Sequence, residues 1–154
     1  MTDIRVTWDA DALSGDWLLD AAGDLDGTQD LVSAIAVSLF THRTADDDDV
    51  LPAGGTDRRG WWGDHEAGPI HGGTPVGSRL WLLHREKHVE ETRRRAEVYV
   101  GEALDWVVAE RLAERVEVTV AWFGVGRLGA EIVLHRGPAG SLAVRFESLW
   151  QEIA

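Results

Sequence analysis

Arg115-Val116-Glu117-Val118-Thr119-Val120-Ala121-Trp122 is the stretch that decides the fold. Val116, Val118, Val120 and Trp122 alternate with polar or small residues, the period-two pattern of a strand with one face on a core and the other in water. Gly124-Val125-Gly126 interrupts the pattern, and Leu128, Ala130, Ile132 and Leu134 restart it. Gly137-Pro138-Ala139-Gly140 interrupts it again before Leu142, Val144, Phe146, Ser148 and Trp150 resume. Three alternating runs with short Gly-rich breaks predict an antiparallel three-strand meander.

Upstream of the meander the period changes to that of a helix. Ala96, Val100, Ala103, Leu104 and Val107 form one apolar stripe, and Glu90 with Arg94 and Glu91 with Arg95 stand at the i,i+4 spacing that supports a helix. The spacing predicts a helix over about 89–110, the longest in the chain. Before it, Ser78 is placed to cap a short helical turn carrying Leu80, Trp81, Leu82 and Leu83. A second helix is expected from Thr28, its N-cap, to near Arg43, with Val32, Ile35, Ala36, Leu39 and Phe40 on one face. Ile4 to Trp8 and Trp17-Leu18-Leu19 read as the strands of a small N-terminal hairpin. The expected architecture is α+β: a small antiparallel sheet, made of the hairpin and the meander, packed against two main helices. Residues 1–154 are expected to form a single domain, because no linker or internal repeat divides them.

Composition narrows the function classes. Asp and Glu number 27 against 15 Lys and Arg, a formal net charge of −12, which argues against bulk nucleic-acid binding. Residues 1–57 hold thirteen Asp, no Glu and two Arg, so nearly all the excess lies in the first third. That third should attract a basic partner, or its Asp residues serve as turn and cap residues on a solvated face. No run reaches the roughly 18 apolar residues of a spanning helix, and the first residues lack a basic segment followed by an apolar one, so neither a membrane nor a secretory role is expected. The absence of Cys excludes disulfides and thiolate chemistry.

The remaining chemical motifs are weak. His84 and His88 stand four apart, but Arg85 occupies the place where a zincin carries Glu; with His65 and His71 beside Asp64 and Glu66, they read as solvated side chains, and no metal or cofactor is expected. Asp46-Asp47-Asp48-Asp49 lacks the Gly and Glu of a calcium loop, since Leu51 and Asp57 fill those places, and reads as a flexible acidic turn. No serine lies in a nucleophile elbow, and Lys87, the sole Lys, follows no Gly-rich phosphate loop. A glycosidase needs only two carboxylates about a sugar; Asp64 and Glu66, near Trp61 and Trp62, are the candidates for that chemistry.

Residues 44–77 show no sustained periodicity and contain Asp57-Arg58-Arg59-Gly60-Trp61-Trp62-Gly63-Asp64. Loops this long are usually functional or disordered. Two adjacent Trp either fold back on the core or anchor another protein, and Trp and Arg are the residue types most enriched at interface hot spots. Arg93-Arg94-Arg95 poses the same choice between a solvated helix face and a contact.

The loop segment, together with Gly77-Ser78-Arg79-Leu80-Trp81-Leu82-Leu83, Glu90-Glu91-Thr92-Arg93, Ala103-Leu104-Asp105-Trp106 and the opening Asp3-Ile4-Arg5 with Gly15-Asp16-Trp17, resembles the Mu-like phage tail baseplate protein family. The resemblance covers nearly the whole chain. It implies a non-enzymatic wedge subunit of a contractile tail, from a phage or prophage. Such a subunit assembles in the host cytoplasm with larger baseplate proteins, around the tail tube and hub, and then resides in the virion tail baseplate. Relatives of such wedge proteins carry a historical lysozyme-like label, and in them a Glu-Pro-Arg element after the first helix docks into the larger wedge proteins. Arg58 and Arg59 hold a comparable place here, without a preceding Glu-Pro. The residues expected to contact partners are Arg58, Arg59, Trp61, Trp62 and Asp64 in the loop and Arg93 and Arg94 on the long helix. The alternative is a muramidase-like hydrolase acting on peptidoglycan through the loop carboxylates.

Overall fold

The computed structural model describes residues 6–9, 14–17, 30–62, 75–84, 86–124 and 126–149. The chain divides into two compact units, residues 1–37 and 38–154. In the first, β1 (Val6–Asp9) pairs antiparallel with β2 (Ser14–Trp17), Val6 opposite Trp17 and Asp9 opposite Ser14. The second strand begins at Ser14, earlier than the expected Trp17, because pairing Asp9 with Ser14 leaves only a short connection, and Leu18 and Leu19 lie outside the described residues. This ladder is separate from the meander, so the described strands form two sheets.

Helix α1 (Asp30–Phe40) carries the boundary between the units. It stops short of Arg43 because the chain turns extended there: His42 bridges in parallel to Ser78, and the Arg43 amide donates to the Ser78 carbonyl at 3.0 Å. Ser78 is buried, and its hydroxyl donates to the Leu39 carbonyl at 2.6 Å while accepting from the Leu80 amide at 3.3 Å. Arg79 rather than Ser78 takes the N-cap position of the following turn, and Ser78 acts instead as a cross-link back to the last turn of α1. Leu80–Leu83 follow as a 3-10 turn with all four side chains buried. Four consecutive apolar residues have no polar face to offer water, so the turn enters the core.

Helix α2 (Glu90–Ala109) buries Ala96, Val100, Ala103, Leu104 and Val107, the stripe read from the sequence. Glu90 and Glu91 in its first turn complement the helix dipole. Of the two expected i,i+4 pairs, Glu90–Arg94 forms at 3.3 Å. Arg95 turns instead to Glu86 at 3.5 Å and to the Tyr99 hydroxyl, because Tyr99 is buried and offers it both a ring and an acceptor. The helix ends in a Schellman arrangement, with the Leu112 amide bonded to the Val107 carbonyl at 2.9 Å and Arg111 to Val108 at 3.0 Å. Arg111 takes the left-handed position that Gly usually fills there, with φ 59°.

The meander follows as β3 (Arg115–Trp122), β4 (Leu128–His135) and β5 (Ser141–Phe146), antiparallel in the order β3-β4-β5. Registers place Val116, Leu134 and Leu142 in one row, Val118, Ile132 and Val144 in the next, and Val120, Ala130 and Phe146 in a third. These are the alternating apolar residues, and α2 packs against β3. The opposite face carries Arg115, Glu117, Glu131, His135, Ser141 and Arg145. There Glu117 accepts from His135 at 3.2 Å and Arg115 at 2.7 Å, and these partners hold its carboxyl below the ordinary pKa. The third strand ends at Phe146 rather than running on to Trp150, because the Leu149 amide bonds the Leu128 carbonyl at 2.7 Å and buries Leu149. No helix among the described residues is long and apolar enough to cross a membrane.

Ile132 lies at the centre of the central strand and is fully buried. Ile132→Ala is expected to lower unfolding free energy by about 2–5 kcal/mol, since the cavity adds to the lost transfer energy. Urea titration followed by tryptophan fluorescence reads the change.

Candidate functional site

The loop after α1 is built on Arg79. Its side chain is 12% exposed and reaches three carboxylates: Asp46 at 2.8 Å, Asp49 at 3.0 Å and Glu102 of α2 at 2.7 Å. Both terminal nitrogens and Nε take part, the Glu102 contact being bidentate. The guanidinium also lies 4.6 Å from the Tyr99 ring centroid. Burial alone would pull its pKa down, but the hydrogen bonds to Glu102 and Asp49 and the charges behind them outweigh burial and raise it. Arg79 is therefore a fixed cation joining the loop to the long helix.

This contact corrects the reading of Asp46 to Asp49 as a free acidic turn. The Asp49 amide donates to the Asp46 carbonyl at 3.0 Å, the Asp46 amide donates to the Asp49 carboxylate at 2.8 Å, and the Asp49 side chain is only 9% exposed. Asp47 and Asp48 remain exposed. Across the base of the loop, the Ala45 amide donates to the Arg58 carbonyl at 3.1 Å. The Arg58 guanidinium folds back onto the Asp46 and Ala45 carbonyls, with Asp47 3.7 Å away. Residues 45–58 thus close on themselves, and a single 3-10 turn, Pro52–Gly54, is their only helical element.

Past that closure the chain turns sharply. Arg59 has φ 45°, and its amide donates to the Asp57 carboxylate at 2.8 Å. Gly60 has φ 116° and lies so close to the Thr44 hydroxyl that a Cβ there would collide with it. The Arg59 guanidinium sits 5.1 Å over the ring of buried Trp81, and its Nη1 lies 3.2 Å from His42 Nδ1. Trp81 itself donates through Nε1 to the Arg43 carbonyl at 2.8 Å. Burial first, and then the charge of Arg59, hold the His42 imidazole below its ordinary pKa, with Asp57 pulling the other way. Trp61 and Trp62 pack ring to ring, centroids 5.1 Å apart; Trp61 is half-buried, whereas Trp62 is 78% exposed.

The loop therefore separates the expected contact residues by role. Arg58 is engaged in closing the loop, Arg59 covers Trp81, and Trp62 faces solvent. Asp64, Glu66, His65 and His71 lie outside the described residues. On α2, Arg93 binds Glu90 and Glu97 and donates to the Val120 carbonyl of β3 at 3.0 Å, so it ties helix to sheet. Arg94 contacts Glu90 and is otherwise exposed. His84 ends the Leu80–Leu83 turn and the His88 ring packs 4.8 Å from Trp122; among the described residues no group of three His, Asp or Glu is placed to hold a metal ion. Arg79 had no role assigned from the sequence. The signal was present, however: an arginine directly before a wholly apolar run, in a chain with an acidic cluster lacking a counter-charge.

A family model described as "Phage protein GP46" matches residues 31–141, which take in α1, the loop, α2 and most of the meander. The chain belongs to this family. It is similar to the baseplate protein gp46 of Escherichia phage Mu, with 44% identity over 142 residues that cover 92% of each chain. It is also similar to the Mu-like prophage FluMu protein gp46 of Haemophilus influenzae, 33% identical over 151 residues covering 97% of this chain and 98% of that one. The family match thus spans both the loop and the elements that hold it.

Arg79→Met leaves Asp49 and Glu102 facing each other without their cation, and is expected to cost about 2–3 kcal/mol in a denaturant titration. Arg79→Lys keeps the charge without the fork, and should recover only part of that loss. A second expectation concerns pH. Because the folded His42 resists protonation more than the unfolded chain does, stability should fall as pH drops through about 6.5 and be unaffected above it. His42→Asn should flatten that part of a melting-temperature profile.

Proposed function

We propose that this chain is a structural subunit of a contractile phage or prophage tail baseplate, working by assembly with larger baseplate proteins rather than by turnover. The observation that carries this reading is the 44% identity to the Mu baseplate protein, which extends over nine-tenths of both chains. The host cytoplasm is the proposed site of assembly, and the virion tail baseplate the final location.

The loop supplies the proposed contact. Trp62 exposes a large apolar ring beside Trp61, on a segment anchored by Arg58, Arg59 and Arg79. An exposed aromatic on a pre-ordered loop loses little conformational entropy on docking, which is the situation in which a single ring contributes most. Arg59, three residues before Trp62, would lie at the edge of such a contact, Asp64 follows Trp62 closely in the sequence, and Arg94 is a separate exposed candidate on α2. Arg58 and Arg93 would act indirectly, by holding the loop and the start of α2 in shape.

Co-expression with the larger baseplate proteins of the same phage or prophage, followed by native mass spectrometry, tests the reading. A defined complex is expected. Trp62→Ala should weaken it at least about tenfold while leaving the melting temperature nearly unchanged, as the ring buries little within the subunit. A monomer that never enters a complex under conditions where tails assemble would overturn the proposal.

A further inference from the structure

We propose that the C-terminal end of α2 is a second docking surface, which takes a segment of another baseplate protein carrying a bulky apolar side chain flanked by carboxylates. The inference rests on the baseplate reading and adds a site that is distinct from the Trp62 loop. Val108, Arg111, Leu112, Ala113, Glu114 and Arg136 line a concavity of about 330 Å³ where the helix turns into β3. Val108 and Leu112 are 43% and 44% exposed and give it an open apolar strip between charged residues. A volume of this size accommodates one large side chain.

Two features of the rim give the partner its chemistry. The arginines of the loop and of α2 pair with carboxylates, but Arg111 and Arg136 have no carboxylate within 4.0 Å and no aromatic partner among the described residues. Glu114 shares the wall, yet its carboxylate is turned against Gly137 rather than toward either guanidinium. Arg111 and Arg136 both line this open concavity, so a partner segment bearing carboxylates would meet two cations that are not already paired with a carboxylate among the described residues.

The second feature is the backbone of Arg111. Arg59 and Arg111 are the two non-glycine residues with positive φ among those described. Arg111 occupies the left-handed Schellman position, where Gly would be easier, and its guanidinium has no carboxylate partner there among the described residues. Strain without a local return points to a use outside the subunit.

Arg111→Gly makes the test clean, since it removes the guanidinium while relieving the backbone. The wild-type chain, Arg111→Gly and the Arg111→Glu, Arg136→Glu double variant are titrated against the larger baseplate protein that forms the complex. Arg111→Gly should unfold at an equal or higher temperature yet bind about five- to tenfold more weakly, and the double variant should bind more weakly still, with a shallower dependence on ionic strength. With Leu112 replaced by photoreactive p-benzoylphenylalanine, cross-linking should recover an acidic, apolar peptide of that partner. Unchanged affinity and salt dependence in both variants, or a cross-link to a second copy of this chain, would overturn the inference while leaving the baseplate reading intact. Failure of the wild-type chain to form any complex would overturn both.

Discussion

A guanidinium held nearly out of water, that of Arg79, is the constraint on which the arrangement of the loop depends. Its donors are divided between an acidic turn at residues 46–49 and Glu102 in the middle of α2. A buried cation needs anions close by, and anions brought together need a cation between them. Each group therefore fixes the others, and an irregular segment gains a defined position against the longest helix. The neighbouring residues complete the attachment: Ser78 ties to the end of α1, and Leu80–Leu83 enter the core. A polar clamp and an apolar plug thus lie within six consecutive residues.

That anchoring bears directly on function. Assembly proteins recognise partners through side chains presented at low entropic cost, and a long loop would ordinarily be a poor platform. Here the acidic turn, the Arg58 closure and the Arg59–Trp81 stack tie residues 45–59 to one another and to the buried Trp81. Trp62 is left exposed at its far side. Many of the arginines are engaged inside the subunit, whereas Arg111 and Arg136 have no carboxylate partner among the described residues and form the surface proposed above.

The meander and the long helix were legible almost residue by residue. Val116, Val118 and Val120 alternate because a strand turns its side chains to opposite faces, and Ala96, Val100, Leu104 and Val107 recur because a helix returns to the same face every three or four residues. Local periodicity is a direct image of burial, so both elements could be read without knowing what they pack against. The end of α1, the earlier start of the second strand and the partner of Arg95 were not legible, because each was set by a competitor distant in sequence or by pairing geometry. The loop lay between these cases. Its residue types raised the expectation of a contact surface, but which of its arginines face outward depends on carbonyls and rings supplied by other segments.

The sequence by itself determined the α+β class, the antiparallel meander, the apolar stripe of α2 and membership in a baseplate family, since these rest on patterns contained within short stretches or on likeness along the whole chain. Only the tertiary structure decided the role of Arg79, the division of labour among Arg58, Arg59 and Arg93, and which arginines, Arg111 and Arg136 among them, have no carboxylate partner among the described residues. The physical reason is that hydrophobic burial is written in local periodicity, whereas an ion pair joins residues whose separation in sequence carries no regular signal. Arg79 and Asp46 lie 33 positions apart, and only folding brings them to 2.8 Å.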